Sequence, residues 1–247
     1  MNNRFFCLLT LFFILSCETK EELIFEPLSI SKKECQDCSF VTINVPKAIG
    51  NSKLANAINI AISEEIISWL SFNETGKANN IKEGIDAFIT DYNELKNKYP
   101  EESMPWEATI NGDIVFDNGQ ILTIQLKSYL FTGGAHGINS VRFLNFDKLN
   151  ATELYREELF TSIETITSYA EEAFRTQEHI PKEADINSTG FMFETETYYL
   201  PENIGYTDDG LLLYYEPYEI ASYADGPITL LLPYKEVNSY LKLAVTP

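Results

Sequence analysis

The string Phe131-Thr-Gly-Gly-Ala-His-Gly137 has the residue types and spacing best suited to chemistry. Three glycines in five positions free the backbone for positive φ and leave amides exposed, which are the makings of an anion nest. No Lys-Ser/Thr pair follows to complete a phosphate loop, and no strand-to-helix junction frames the string, so nucleotide binding is not expected. An oxyanion loop would need a nucleophile, and the chain has no G-x-S-x-G elbow. His136 reads first as a loop histidine bonded to backbone and second as a contact for a partner. The other candidates are carboxylate pairs: Asp208-Asp209, Glu216 with Glu219, and Asp225. A glycosidase needs two carboxyls set across a sugar with one pKa raised, a relation that spacing in sequence does not carry. With 37 acidic residues, chance pairs are expected, and no catalytic residue is assigned.

The cysteines are four: Cys7, Cys17, Cys35 and Cys38. The last two form a C-x-x-C pair. A thioredoxin-type site would place its first Cys at a helix start, whereas here Ser39-Phe-Val-Thr-Ile-Asn-Val-Pro46 follows, alternating like a strand. A zinc ribbon would need a second pair of ligands, and the two histidines, His136 and His179, are far apart without ligand spacing. A local disulfide between Cys35 and Cys38 is the preferred reading; no metal site and no cofactor are expected. Nine of the fourteen tyrosines lie from Tyr198 onward, and a rigid ring with a polar tip suits either a half-buried sheet or a recognition surface. Tyr214 and Tyr215 fit the sheet. Phe131, Thr132, His136, Tyr218, Tyr223 and Asp225 are the candidate contacts for a partner.

The elements that must position these residues can be read from periodicity. Leu54, Ala57, Ile58, Ala61, Ile62, Ile66, Trp69 and Leu70 recur at helical steps, as do Ile81, Ile85, Phe88, Ile89, Tyr92, Leu95 and Tyr99 before Pro100. From Met104 the period becomes two. Residues 110–116 and 121–127 flank Asp117-Asn-Gly119, whose Asn-Gly would take the positive φ angles of a tight hairpin, and a third strand covers 138–146. Thr161-Ser-Ile-Glu164 reads as a capping box opening a helix that stops before Pro181. Strands at 203–206, 211–215 and 228–232 and a short helix near 234–243 complete an α+β order. The expected architecture is two small lobes, each an antiparallel sheet packed by helices, over 38–150 and 151–247.

With 18 basic against 37 acidic residues, the net charge is −19 and no basic block exists to hold a polyanion, so nucleic acid is not an expected partner. A hydrophobic content of 45% is enough for a core. Residues 1–16 carry Arg4 and an apolar run too short to span a bilayer but suited to a signal peptide. Ile14-Leu-Ser-Cys17 resembles a bacterial lipobox, which makes Cys17 the acylated N-terminus and anchors the chain to a membrane. Loss of Arg4 leaves 17 basic and 37 acidic residues, a balance of −20. Residues 17–37 read as the lipidated Cys and a flexible tether. Lys20-Glu-Glu22 resembles the export signal of surface lipoproteins, so the expected address is the cell envelope or outer membrane, on its periplasmic face or at the surface.

Val41-Thr-Ile-Asn-Val-Pro46, Ala57-Ile-Asn-Ile60, the 131–137 string, Asn145-Phe-Asp147 and above all the block from Gly210 to Tyr234 resemble the RsiV-like extracytoplasmic domain family. That family supplies the lysozyme-sensing region of an anti-sigma factor and the non-catalytic region of PdaC-type deacetylases. The resemblance spans residues 38–243 and implies two α+β lobes, an envelope location and no catalysis. A lipid anchor stands here in place of the transmembrane helix and sigma-binding segment, so anti-sigma activity is not implied. The expected partner is a basic protein such as a lysozyme-like hydrolase, which a −20 domain would attract, or cell-wall glycan. Two other readings remain: an enzyme or enzyme accessory on wall glycan, and a subunit of a surface complex.

Overall fold

The computed structural model describes residues 23–33, 35, 38–71, 78–101 and 104–245. The expected signal peptide, the expected lipidation site Cys17 and Lys20-Glu-Glu22 lie outside the described residues. The first element corrects the sequence reading. Residues 24–33, expected as flexible tether, form strand β1 (Ile24–Lys33), paired antiparallel along its full length with β2 (Phe40–Ile49). β1 is a sheet edge, so the missing N–H of Pro27 costs no ladder bond from the open side, and its exposed, charged outer positions hid the strand pattern. Cys35 and Cys38 are joined by a disulfide in the connection between the two strands.

Helices α1 (Lys53–Leu70) and α2 (Ile81–Lys98) follow, and β3 (Glu107–Asp117), β4 (Ile121–Phe131), β5 (Ile138–Asp147) and β6 (Thr152–Leu154) complete a six-stranded sheet in sequence order. One pair departs from the expected antiparallel pattern: β2 and β3 run parallel. The cause is the helical hairpin between them, since a chain that crosses the sheet through helices re-enters in the same direction. Ser52 caps α1 by accepting from Ala55 N at 3.1 Å, and Asn80 caps α2 by accepting from Glu83 N at 3.0 Å. Ile58, Ile62, Ile66, Phe88 and Ile89 seal the sheet face formed by Val41, Ile43, Ile110, Ile124 and Leu126. Trp106 closes this core against Phe88, with ring centres 5.4 Å apart. Leu95 and Tyr99, read as part of the helical core stripe, are exposed at the end of α2.

The β3–β4 turn also differs from its reading. Gly119 does not take a positive φ. Instead the Asn118 carboxamide accepts from Gln120 N (2.8 Å) and Ile121 N (2.7 Å) and holds a three-residue loop. A register shift between Ile114 and Phe116 has a larger consequence. Ile114 pairs with Ile124 on the helix-covered face, whereas Phe116 pairs with Thr123 on the opposite one. One extra residue thus hands Phe116 to a second core.

That second core belongs to the other lobe. α3 (Arg156–Leu159) and α4 (Ile163–Gln177) precede a three-stranded antiparallel sheet of β7 (Asn203–Thr207), β8 (Gly210–Tyr215) and β9 (Ile228–Leu232), and α5 (Tyr234–Val237) ends the helices. Phe174 of α4 is fully buried among Phe193, Tyr198 and Tyr215, while Phe116 and Ile121 enter from the first sheet. The cap of α4 is Ser162, which accepts from Thr165 N; Thr161, read as the cap, bonds instead to Tyr240 O. β6, just beyond the boundary read near residue 150, pairs with β5 of the first sheet.

Candidate functional site

Both lobes contribute to one constellation, at the end of the sheet where β4 stops and β5 begins. β4 ends with Phe131, register partner of Glu107, and β5 starts at Ile138 opposite Leu130. Between them the chain turns through Gly133 (φ 100°) and Gly134 (φ 92°), a region that side-chain-bearing residues rarely enter. Gly137 packs directly against the Tyr129 ring, leaving no room for a Cβ. Its carbonyl receives two donors: His136 Nδ1 at 3.0 Å and Tyr223 Oη, from the other lobe, at 3.1 Å. The imidazole lies flat on the Tyr223 ring, with centres 4.3 Å apart and planes at 15°. Tyr218 stacks in turn beside Tyr223, at 5.3 Å and 28°. Three of the six residues singled out from sequence therefore form a continuous stack, His136–Tyr223–Tyr218, across the seam of the lobes.

The stack is held from below. Asp225 is a support: its Oδ2 accepts from Ser222 N (3.1 Å) and Ser222 Oγ (2.6 Å), fixing the turn that presents Tyr223. Glu219 Oε2 accepts from Glu216 N at 2.8 Å and closes the loop that carries Tyr218. Tyr218 itself is 64% exposed with φ +72°, a conformation unfavourable for a bulky residue. Phe131 and Thr132 are half-buried at the strand end that supports the loop.

Sequence reasoning singled out Glu216 as a carboxylate and Asn145 within a family string, but missed Asn203 and the task these three share in joining the lobes. β6 pairs only with the last three residues of β5, which leaves the first part of β5 as a sheet edge. Side chains of the second lobe satisfy that edge. Asn203, 3% exposed, accepts from Phe143 N (2.9 Å) and donates to Val141 O (2.6 Å), so its carboxamide acts as a one-residue strand. Glu216 Oε1 accepts from Val141 N at 2.7 Å. Asn145, equally buried, receives Thr123 Oγ1 (2.9 Å) and donates to Ile204 O (2.8 Å). A sequence signal was present for Asn145, which sits within the apolar strand segment Phe143-Leu-Asn-Phe146, where a polar side chain must find partners; Asn203, opening β7 after Glu202, gave none.

The carboxylates weighed for catalysis differ in their surroundings, and the second oxygen of Glu216 is buried without a hydrogen-bond partner. Glu216 and Glu219 each hold a backbone N–H, and Asp208 and Asp209 lie exposed in the β7–β8 turn. Burial pushes the carboxyls of both Glu216 and Glu219 up from the ordinary range, against the pull of those backbone bonds. A neighbouring cleft of ≈ 160 Å³ contains Glu65, Arg142, Glu153, Tyr155, Arg156 and Glu202. There Arg142 meets Glu65 at 3.3 Å, and Arg156 bridges Glu157 and Glu202, so its charges are largely paired within the protein. Burial raises the Glu153 carboxyl as well. Among the described residues, no group of three or more His, Cys, Asp or Glu side chains is arranged to hold a metal ion.

Comparison with known proteins places this architecture. Residues 32–139 match the family model described as deacetylase PdaC, and residues 152–235 match the protein of unknown function DUF3298. Two crystal structures share the fold over nearly its whole length. A DUF3298 family member from Bacteroides fragilis is 21% identical, with a TM-score of 0.72 over 90% of this chain and 94% of its own. A DUF3298 family protein from Pseudomonas aeruginosa is 20% identical, with a TM-score of 0.67 over 92% of this chain and 98% of its own. No curated protein sequence matches the chain. The two matches follow one another along the chain, the first within the six-stranded sheet and its helices and the second starting at β6.

Proposed function

We propose that this chain, a PdaC-type domain followed by a DUF3298 domain, is a non-enzymatic, lipid-anchored envelope protein that binds a protein or glycan partner. The observation that carries the reading is the His136–Tyr223–Tyr218 stack, which ends in an exposed ring on strained backbone. Tyr218 stacks one face on Tyr223 and leaves most of its surface to solvent, and an exposed ring held on strained backbone supports a role in recognition. Aromatic rings with polar tips are a common currency of such surfaces. A basic cell-wall hydrolase of the lysozyme type fits the charge, because a mature chain at −20 speeds encounter with a cation. The competing reading, a wall-glycan enzyme, draws on Glu216 and Glu219; one oxygen of each holds a backbone N–H, and the second oxygen of Glu216 is buried away from solvent.

The test is co-elution of the mature domain with lysozyme at low ionic strength and again at rising salt. A complex that forms, weakens with salt and is lost in Tyr218→Ala supports the reading. No complex at low salt removes a lysozyme-like partner, leaving wall glycan to be tested by pulldown with purified peptidoglycan. A clearing band on a peptidoglycan gel that disappears in Glu216→Gln/Glu219→Gln would establish the enzyme instead.

A further inference from the structure

The start of β1 leaves only a short stretch of sequence between Cys17 and the folded sheet. Because β1 starts at Ile24, only six residues separate it from Cys17. Fully extended, they reach about 20 Å. The end of the sheet where β1 begins is therefore confined near whatever surface holds the Cys17 lipid.

That end has a definite composition. Ile24 pairs with Ile49, the last residue of β2, and the chain then turns into α1, whose first residue, Lys53, donates to Asn150 O at 3.2 Å. This bond brings the β5–β6 turn, with Leu149, to the same end. Ile24 (56%), Ile49 (38%) and Leu149 (55%) are exposed at this end, which also carries Lys53 and the Lys148–Asp117 ion pair. Apolar side chains interspersed with a lysine suit a lipid headgroup region better than open water. The register carries the rest of the argument: Ile121 pairs with Asp147 at this end, and Leu130 pairs with Ile138 at the other. The loop bearing His136 thus sits one strand length away, about 35 Å for eleven residues.

We propose that the Ile24–Ile49–Leu149 end is a lipid-facing surface, and that the chain stands on the bilayer with the aromatic stack directed away from it. The inference rests on acylation of Cys17. It deepens the proposed function by placing the stack beyond the headgroups, where a large soluble protein or glycan can reach it. The test uses the full lipidated chain, reconstituted into phosphatidylethanolamine–phosphatidylglycerol vesicles that carry a headgroup acceptor dye. Donor dyes are attached at Leu149→Cys or at Ala135→Cys; Cys35 and Cys38 are tied in their disulfide and do not compete. Flotation with the vesicles and at least twofold stronger quenching at position 149 than at 135 is the expected result. Flotation with equal quenching at both positions overturns the orientation and leaves the anchor standing. A chain that does not float overturns the anchor, and the orientation with it.

Discussion

Replacing Asn203 by Ala should uncouple the two lobes. The carboxamide supplies one acceptor to Phe143 N and one donor to Val141 O, both in a buried seam. Its removal orphans two backbone groups at about 1–3 kcal/mol each, so the loss should be about 2–6 kcal/mol, a large part of the roughly 5–15 kcal/mol that holds a typical domain. The structure provides separate reporters for the two sides. The two tryptophans, Trp69 and Trp106, both pack in the first lobe, whereas nine tyrosines follow residue 197. Urea unfolding followed by tryptophan emission reports the first lobe alone, and far-UV circular dichroism reports both. In the wild type the two curves should coincide. In Asn203→Ala the midpoint should fall by roughly 1–3 M, taking a slope on the order of 2 kcal/mol per M, and the curves should separate as the lobes melt independently. A variant whose curves still coincide, with a midpoint within about 0.3 M of wild type, would refute the idea that this side chain closes the β5 edge.

Two further outcomes concern the loop between β8 and β9. Tyr218→Gly should raise the thermal midpoint slightly, since glycine adopts a φ of +72° without strain worth about 1 kcal/mol, while partner binding falls; a variant that loses stability along with binding would mean that the ring is structural. For Glu216→Gln, the expectation is a pH slope. Burial raises the folded pKa of Glu216 above its ordinary 4.5, so the folded state takes up its proton more readily than the unfolded chain. The cost of its buried charge is full above the folded pKa and fades as pH falls toward 4.5. Gln keeps the acceptor for Val141 N and removes that charge, so its melting temperature relative to wild type should drop between pH 7 and 4.5; a difference that stays flat or rises would contradict the assignment.

Much of this architecture was legible because burial leaves a period. The stripes in α1 and α2, the alternation of β4 and the apolar blocks of β7 to β9 each record one face turned inward. β1 left no such record, as a sheet edge with a proline and charges on its open side. The shift at Phe116 was equally silent, because an extra residue changes which face a side chain takes without changing its type. For the candidate site, sequence supplied the rings but not their meeting. His136 and Tyr223 are 87 positions apart, and only the packing of one lobe against the other stacks them. Asp225 drew notice as a carboxylate, yet it acts through the turn it fixes. Asn145 and Asn203 carry amides, which suggest no reaction, yet their burial gives them a central structural task at the seam.

The same seam also bears on self-association. An uncovered strand edge offers a row of unpaired backbone groups to any other strand, including one from a second copy. In this protein the free half of β5 is covered by Asn203 and Glu216, while the opposite edge, β1, carries Pro27 and Lys32, a residue and a charge that discourage pairing. The second lobe is thus a guard for the first. Cutting the chain after Leu154 would expose the bare half of β5 and turn the sheet into a template for its own aggregation.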